Sequence, residues 1–198
     1  MSDYLSQISK PKVKPPIISI VGYPGAGKTS LAAMFPAPIF IQTDDNSETV
    51  FQAWPEDLQP AFMPKIPRAN VKKNIRPSET VLDQLRELAS KQHDFKTVVF
   101  DTSTSLNLLI EEEVTIFDPF GADNIADASG GFHKGYKTVA TKHAKIRNAC
   151  EELRKRGMTV VFLCHTAVHK IKNSPDLPEC TVYGIDMHPD SRPFYVNH

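Results

Sequence analysis

The sequence predicts a single α/β domain, a three-layer sandwich in which helices cover both faces of a mostly parallel sheet. Four short runs have the continuous apolar, β-branched character of strands buried on both faces, and helical patterns separate them. The chain of 198 residues is long enough for one such core and too short for two large ones. The predicted strands are IISIVG (17–22), PIFIQT (38–43), TVVFDT (97–102) and TVVFLCHT (159–166).

The helices are placed by their apolar spacing and by the signals at their ends. Residues 1–16 end in SKPKVKPP, a flexible lead-in that we place outside the domain formed by residues 17–198. Ser78 is the expected N-cap of the second helix, and Gly157 is the expected C′ residue after the fourth. The predicted helices run from Lys28 to Phe35, over residues 79–92 and 105–117, and from about Lys134 to Lys155.

Two segments show no regular pattern. Residues 52–77 are rich in proline and basic residues, and residues 167–198 are polar and broken by prolines. Because long irregular segments in a compact domain usually carry function or are disordered, we predict that 167–198 forms an irregular loop or tail. A parallel sheet of this kind normally has a fifth central strand. No run after residue 166 fits one, so we expect a sheet without its last core strand.

The composition excludes several classes of protein. The 23 basic and 23 acidic residues cancel, so any nucleic-acid-binding surface has to be local. The three cysteines, Cys150, Cys164 and Cys180, have no C-x-x-C spacing, which argues against a disulfide framework and against a zinc site. No apolar run reaches the length of a membrane span or follows the N-terminus as a signal sequence would. We therefore expect a soluble cytoplasmic protein with no membrane partner.

The segment between the first strand and the first helix carries the clearest motif. Residues Gly22 to Thr29 read GYPGAGKT and fit G-x-x-x-x-G-K-[ST], in the strand and helix context that this phosphate-binding loop requires. We expect the three glycines, Gly22, Gly25 and Gly27, to adopt positive φ so that backbone N–H groups curl around a phosphate. The sequence therefore predicts a nucleoside triphosphate site, with ATP as the ligand.

The other residues of this loop have separate expected roles. Lys28 places a charge on the β- and γ-phosphates, and the Thr29 hydroxyl ligates Mg²⁺. Pro24 stiffens the loop, and Tyr23 is expected to be a solvent-exposed spacer. The residues predicted to contact the nucleotide are Gly22, Tyr23, Pro24, Gly25, Ala26, Gly27, Lys28, Thr29 and Ser30.

Three further side chains are expected at the carboxyl ends of neighbouring strands, where ligands of parallel sheets lie. Asp101 ends a buried strand and is the predicted second holder of the metal. Asp44 is the predicted general base for the attacking water, with Asp45 and Glu48 as alternatives, although such an acidic cluster is also typical of a helix cap or loop. His165 is a predicted γ-phosphate sensor if its strand lies between those of the glycine loop and Asp101; a purely structural histidine is the alternative.

Together these stretches resemble a known group. GYPGAGKTSLAAMFPAPIFIQTDD, TVVFDTSTSL, the region from GGFHKGYK to VVFLCHT, and DMHPDSRP resemble the phage-encoded AAA-type nucleotide-binding proteins related to RecA, including Sak-type ATPases associated with single-strand annealing. The resemblance covers about residues 17 to 193. It implies a RecA-like, Mg²⁺-dependent ATPase that acts with single-stranded DNA in phage recombination or replication, in the cytoplasm of a bacterial host.

The resemblance also implies partners and roles for particular residues. It implies self-association as an oligomer or filament, and it suggests a phage single-stranded-DNA-binding protein as a further partner. Asp44 matches the acidic residue after the second strand of RecA-type proteins, although it is shorter than the usual glutamate. His165 corresponds to their strand-end glutamine or histidine.

In that group the loops after the third and fourth strands face DNA. Here they correspond to SGGFHKGYK (129–137) and HTAVHKIKNS (165–174). The first mixes cations with aromatic rings, as backbone neutralisation and base stacking require, and the second carries His169, Lys170 and Lys172. Solvated, mobile loops are the alternative interpretation of both, and RANVKKNIR (68–76) is expected to be a surface face. The predicted DNA contacts are Phe132, Lys134, Tyr136, Lys137, Lys170 and Lys172.

Two other functions share the same glycine loop. A small-molecule kinase would normally have an arginine-rich lid, and RKR at 154–156 lies at a helix end before a strand, which is the wrong place for one. A nucleotide-dependent switch or assembly factor with little turnover would fit the shorter carboxylate of Asp44.

Overall fold

A computed structural model describes residues 13–44, 47–171 and 180–196 of the chain. It confirms the predicted class, a mostly parallel central sheet flanked by helices. The strands are β1 Ile17–Gly22, β2 Pro38–Gln42, β3 Ala61–Phe62, β4 Thr97–Asp101, β5 Thr159–Ile171 and β6 Cys180–Ile185. The α-helices are α1 Lys28–Ala33, α2 Pro77–Ser90, α3 Ser103–Ile116, α4 Lys134–Lys155 and α5 Pro193–Val196, with short 3₁₀ turns at Glu48–Phe51 and Glu56–Leu58.

The order of the strands brings the predicted site residues to one edge. The parallel strands follow the order β1-β5-β4-β2-β3, so β5 lies between the strand of the glycine loop and the strand of Asp101. In the register, Gly22 pairs with His165 and Gln42 pairs with Asp101. This arrangement is the one that the predicted role of His165 required.

Both faces of the sheet are covered, which explains the continuous apolar runs. Val98 and Phe100 face the larger core beneath α2, α3 and α4, whereas Val99 faces a smaller core. The smaller core is built from Ala32, Phe40, Phe51, Val99, Val161 and Leu163. No helix in the described part of the chain is long and apolar enough to cross a membrane.

Several element boundaries differ from the prediction. Helix α2 begins at Pro77, because proline is pre-organised for the first helical position, and Arg76 takes the N-cap place expected for Ser78. Helix α3 begins at Ser103, capped by the Thr102 hydroxyl, which accepts a hydrogen bond from the Ser105 N–H at 3.1 Å. Helix α4 has the predicted bounds, and Gly157 follows it with φ 90°, as expected of a C′ residue.

The prediction of an irregular segment from residue 167 onward is wrong for most of its described part. Strand β5 continues to Ile171, and β6 pairs with this extension in antiparallel fashion, with Thr166 opposite Ile185. The hairpin extends past the carboxyl edge of the sheet, where Val168 and Val182 are exposed, so it lacks the pattern of a buried strand. Within the described residues, no strand pairs with the outer side of β1.

The other segment without a regular pattern, residues 52–77, also contains a strand that the sequence does not predict. Strand β3 has only two residues and pairs with β2 in parallel. The chain then follows β2, since the N–H groups of Met63 and Ile66 donate to the carbonyls of Phe40 and Gln42 at 2.8 and 2.9 Å. Two residues are too few for a periodic signal, so only the pairing reveals the strand.

A buried carboxylate joins the three helices of the larger core. Glu113 is fully buried and accepts hydrogen bonds from the Ser78 N–H at 2.8 Å and the Ser78 hydroxyl at 2.9 Å. The Lys142 ammonium lies 2.7 Å from the same carboxylate. A buried charge is tolerated when it is paired and hydrogen-bonded in this way, so Glu113 connects α2, α3 and α4.

A second polar chain links α3, α4 and α5 through His143, whose side chain is buried. Its Nδ1 accepts from the Tyr195 hydroxyl at 2.7 Å, and its Nε2 donates to Asn107 Oδ1 at 3.1 Å. The Asn107 amide nitrogen donates to Glu111 at 2.8 Å, which orients its oxygen toward the imidazole. Burial lowers the pKa of His143 to about 3, so the ring is neutral in the folded protein.

This neutral imidazole predicts acid-sensitive stability. The pKa of His143 rises from about 3 in the folded state to about 6.5 on unfolding, so the unfolded chain takes up a proton between these values. The free energy of unfolding should therefore fall as the pH drops below 6.5, by about 1.4 kcal/mol per pH unit from this group. Urea denaturation of the wild type and of His143→Gln between pH 7 and pH 5 measures the difference. Identical pH slopes would contradict the assignment.

Candidate nucleotide-binding site

The glycine loop has the backbone form that two of its glycines make accessible. Gly25 and Gly27 have φ 77° and 80°, in the left-handed region that disfavours other residues. Gly22 lies outside this region, so the expectation of positive φ is wrong there. A Cβ at Gly22 would meet the side chains of Ala26 and Lys28 at 3.6 to 3.8 Å, which is ordinary contact. The loop therefore depends on Gly25 and Gly27 for its shape.

This difference gives a matched pair of variants. Gly27→Ala strains the backbone by about 1 kcal/mol because of its φ, although a Cβ there meets nothing within 4 Å. Gly22→Ala adds the same methyl group without that strain. We expect about fivefold weaker binding of ATP for Gly27→Ala and less than twofold for Gly22→Ala, measured by calorimetry. Equal effects of the two substitutions would contradict the role of backbone conformation.

Lys28 is buried and turned onto the loop itself. Its ammonium donates to the carbonyl oxygens of Gly22 and Tyr23, each at 2.9 Å. Burial lowers the pKa of Lys28, and the nearby Asp101 carboxylate opposes that shift. The cation is thus held at the loop, where it is available to an anion that replaces these two carbonyls.

Asp101 ends β4 and is buried beside the loop. Burial raises the pKa of its carboxyl group, and the negative charge of Asp44 raises it further. The Ser47 hydroxyl, whose proton is shared with Asp44, and the Thr29 hydroxyl hydrogen-bond to the Asp101 carboxylate, and these contacts and Lys28 oppose the shift. Two carboxylates that repel each other beside a hydroxyl group form an electrostatic environment that favours a cation.

The residues here fit a magnesium ion. The Thr29 hydroxyl and the Asp101 carboxylate are in hydrogen-bond contact, and Mg²⁺ prefers such oxygen ligands. No group of three or more His, Cys, Asp or Glu side chains among the described residues could hold a metal by itself. Mg²⁺ commonly keeps waters and phosphate oxygens as its remaining ligands, so two protein ligands are sufficient.

Of the three predicted candidates for the general base, the geometry favours Asp44. It lies in the same cleft as Asp101 and accepts a hydrogen bond from the Ser47 hydroxyl at 3.3 Å. Glu48 accepts a hydrogen bond from the buried Gln42 amide at 2.7 Å and does not line the cleft. Asp45 lies outside the described residues. The role of Asp44 as the base stays a prediction.

His165 lies at the carboxyl edge, where β5 passes the glycine loop. Its backbone N–H donates to the Thr104 hydroxyl at 2.9 Å, and the buried ring Nδ1 has no hydrogen-bond partner among the described residues. Burial lowers the pKa of His165, Lys28 lowers it further, and Asp44 and Asp186 oppose the shift. The ring is therefore neutral near pH 7 and can exchange a hydrogen bond with a phosphate oxygen or water.

A single cleft of about 460 Å³ brings these groups together. Its walls are the glycine loop, the ends of β2, β4 and β5, and the turn that begins at Ser47. The lining residues are Pro24, Gly25, Gly27, Lys28, Thr29, Ser30, Asp44, Ser47, Val50, Asp101, Thr102 and His165. Ser47 and Val50 are site residues that the sequence does not predict; the hydroxyl next to an acidic pair is the one available signal for Ser47.

Tyr23 has a partner that the sequence did not reveal. Its ring packs edge-on against Tyr183 of β6, with centroids 6.3 Å apart and an interplanar angle of 83°. Tyr23 is 52% exposed, so it is accessible to solvent as expected, but its side chain also makes a specific contact. The hairpin thus contacts the phosphate loop directly.

The predicted DNA contacts are found in different environments. Phe132 is 92% exposed, and Lys134 and Lys137 are exposed in the first turn of α4. The Tyr136 ring stacks on the His188 ring, with the ring centroids 3.8 Å apart, so one face of the tyrosine ring is already covered. The side chain of Lys170 and the whole of Lys172 lie outside the described residues.

The fold and the cleft define an α/β P-loop nucleotide-binding protein. A family model described as an AAA domain matches residues 14–191, nearly the whole chain. The chain therefore belongs to this AAA domain family of P-loop proteins. No curated protein gives a significant match.

Proposed function

We propose that the protein is a RecA-like, Mg²⁺-dependent ATPase that acts with single-stranded DNA in phage recombination or replication. The observation that supports this proposal most strongly is the shared cleft, in which Lys28, Asp101 and Asp44 lie with the Thr29 hydroxyl and His165. This is the set of groups that phosphoryl transfer to water requires: a cation for the phosphates, oxygen ligands for a metal, and a base. A binding module without turnover would need only the first two.

The proposed reaction is hydrolysis of the terminal phosphoanhydride. The oxygen of a water molecule forms a bond to the γ-phosphorus, the bond to the β,γ-bridging oxygen breaks, and ADP and phosphate leave. Asp44 accepts the proton of the attacking water. Lys28 exchanges the carbonyls of Gly22 and Tyr23 for phosphate oxygens. Thr29 and Asp101 would hold Mg²⁺, which would neutralise part of the charge of the triphosphate.

The proposed link to DNA rests on the position of the two predicted DNA-facing segments. The antiparallel pairing of the β5–β6 hairpin begins at Thr166, next to His165, and the hairpin contacts the glycine loop through the Tyr183–Tyr23 pair. The start of α4 lies against the same region, because Tyr136 stacks on His188, three residues after β6 ends. Both segments therefore lie on the carboxyl side of the sheet. Loss of the γ-phosphate would change contacts on that side and could be transmitted to them.

Self-association as an oligomer or filament is part of the proposal. Among the described residues, no arginine lines the nucleotide cleft, and Lys28 is its one cationic side chain apart from the neutral His165. A triphosphate in this cleft would still carry excess negative charge at its open side. A cation from a neighbouring copy would complete the site.

Phosphate release with and without single-stranded DNA tests the function. The wild type with Mg²⁺ and ATP should release phosphate, and an oligo(dT) of 40 nucleotides should increase the rate, whereas chelation of Mg²⁺ should stop it. Lys28→Ala is the control for contaminating ATPases. Nucleotide binding without phosphate release would favour the switch, and ADP formation only with an added small-molecule acceptor would favour the kinase.

A further inference from the structure

A second, larger cleft adjoins the nucleotide cleft. It has a volume of about 710 Å³ and shares Asp44 with the nucleotide site. One wall is the chain that follows β3, and the other is the outer face of α3. The lining residues are Thr43, Asp44, Lys65, Ile66, Pro67, Arg68, Ser105, Leu108, Leu109 and Glu112. A ligand in this cleft would lie directly beside the predicted general base.

The wall after β3 brings two cations, Lys65 and Arg68, to the cleft and continues beyond the cleft as a basic segment. Residues 65–76, here called the basic ridge, read KIPRANVKKNIR and contain five cations and no acidic residue. Lys72 and Lys73 are exposed and have no ion-pair partner among the described residues. The Arg68 side chain is 83% exposed and lies 3.9 Å from Glu112, a long and solvated pair. These three cations are available to phosphate groups.

The basic ridge is an ordered element. Asn70 and Ile75 form a bridge with two backbone hydrogen bonds, of 3.0 and 2.9 Å, which holds Lys72 and Lys73 at the tip of a tight turn. The Asn70 side chain accepts from the Lys73 N–H at 3.0 Å. At the base of the ridge, the Arg76 guanidinium lies 3.8 Å above the ring centre of Phe117. The cations are thus presented from a fixed scaffold, at low entropic cost to a ligand.

The opposite wall offers apolar contact. Leu108 is 61% exposed on α3, and Ile66 is buried in the floor of the cleft. Cations on one side, and an apolar surface beside the paired Glu112 carboxylate on the other, match a single nucleic-acid strand, whose phosphates and unstacked bases are both accessible. The bases of a duplex are stacked inside it and would not reach Leu108.

We propose that the cleft between the basic ridge and α3 binds a single strand of nucleic acid, with its phosphates on Arg68, Lys72 and Lys73. This inference rests on the proposed function, since it gives that function's DNA a binding surface other than the loop 129–137 and the β5–β6 hairpin. The strand passes beside Asp44, so its binding changes the surroundings of the predicted base. Stimulation of ATP hydrolysis by single-stranded DNA follows from this position.

The test compares a ridge variant with a matched control. The ridge variant is Arg68→Ala, Lys72→Ala, Lys73→Ala. The control is Arg86→Ala, Lys91→Ala, Lys155→Ala, which removes the same number of exposed cations, here ones that pair with Asp83, Glu87 and Glu152. Anisotropy with a fluorescein-labelled oligo(dT) of 20 nucleotides is measured from 50 to 300 mM salt. The ridge variant should bind about tenfold to a hundredfold more weakly at 100 mM salt, and its salt slope should decrease by about 2, or about 0.7 per phosphate contact.

The possible failures are distinguishable. If the wild type binds the oligonucleotide and the ridge variant binds as well as the control, the proposed binding surface is wrong and the proposed function stands. If the wild type neither binds it nor shows faster hydrolysis with it, the DNA-linked function is wrong and the inference falls with it. If the ridge variant loses affinity equally for a duplex of 20 base pairs, the preference for a single strand is refuted. Unchanged ATP binding by the ridge variant shows that its nucleotide cleft is intact.

Discussion

Lys28→Ala is expected to weaken ATP binding by about a hundredfold and to abolish hydrolysis. The ammonium contacts two loop carbonyls in the nucleotide-free fold, and its charge is the one that the cleft directs at the phosphates. Charge-assisted hydrogen bonds contribute about 1.5–3 kcal/mol each, and a factor of a hundred corresponds to about 2.7 kcal/mol. Calorimetric titration with ATP and Mg²⁺ measures the change.

The variant should remain folded. The loop around Gly22 and Tyr23 is open to solvent, so water can replace the lost donor at their carbonyls. The midpoint temperature of thermal unfolding of Lys28→Ala should therefore be close to that of Lys91→Ala. That control removes an exposed lysine at the end of α2. ATP affinity equal to that of the wild type would refute the assignment of the glycine loop.

Asp44→Asn should lower kcat by a factor of about 10² to 10³ while changing KM by less than about threefold. The substitution keeps the size of the side chain and its contact with the Ser47 hydroxyl, but it removes the group that accepts the water proton. General-base catalysis typically contributes a factor of this size. Steady-state phosphate release at saturating Mg²⁺ gives both constants.

Removing the charge of Asp44 has a second effect, on Asp101. The negative charge of Asp44 raises the pKa of Asp101, so its loss should lower that pKa and keep Asp101 in its ionised, metal-binding form. The metal ion then loses the attraction of one of the two carboxylates, which saturating Mg²⁺ offsets. The matched control is Glu48→Gln, a change of the same kind at a carboxylate that accepts from Gln42 outside the cleft. If Glu48→Gln loses activity and Asp44→Asn retains it, Glu48 is the base.

The features that were predictable share one property: their signals are local in the sequence. The glycine loop was found because its spacing lies within eight residues and between a strand and a helix. Asp101 was found because a buried run ends in a carboxylate. The order of the strands was only assumed for His165, and the register that pairs it with Gly22 shows that the assumption was correct.

The features that were missed depend on contacts between distant residues. The successive β6 side chains Thr181, Val182 and Tyr183 are all exposed, so this part of the hairpin shows no alternating apolar pattern in the sequence. The contact between Tyr23 and Tyr183 joins residues 160 positions apart. The residue type of Ser78 predicts a helix N-cap. In the structure its N–H and hydroxyl instead donate to the buried Glu113 carboxylate, 35 residues away.

The class of the sheet, the phosphate loop and the residue types that serve it follow from the sequence, because burial periodicity and a compact motif are encoded in short stretches. The packing of distant segments places Asp44, rather than Glu48, in the nucleotide cleft and brings the basic ridge beside it. Both outcomes follow from how β2, β3 and α3 pack at one edge. Such packing depends on side chains that meet across the fold, which no local pattern specifies.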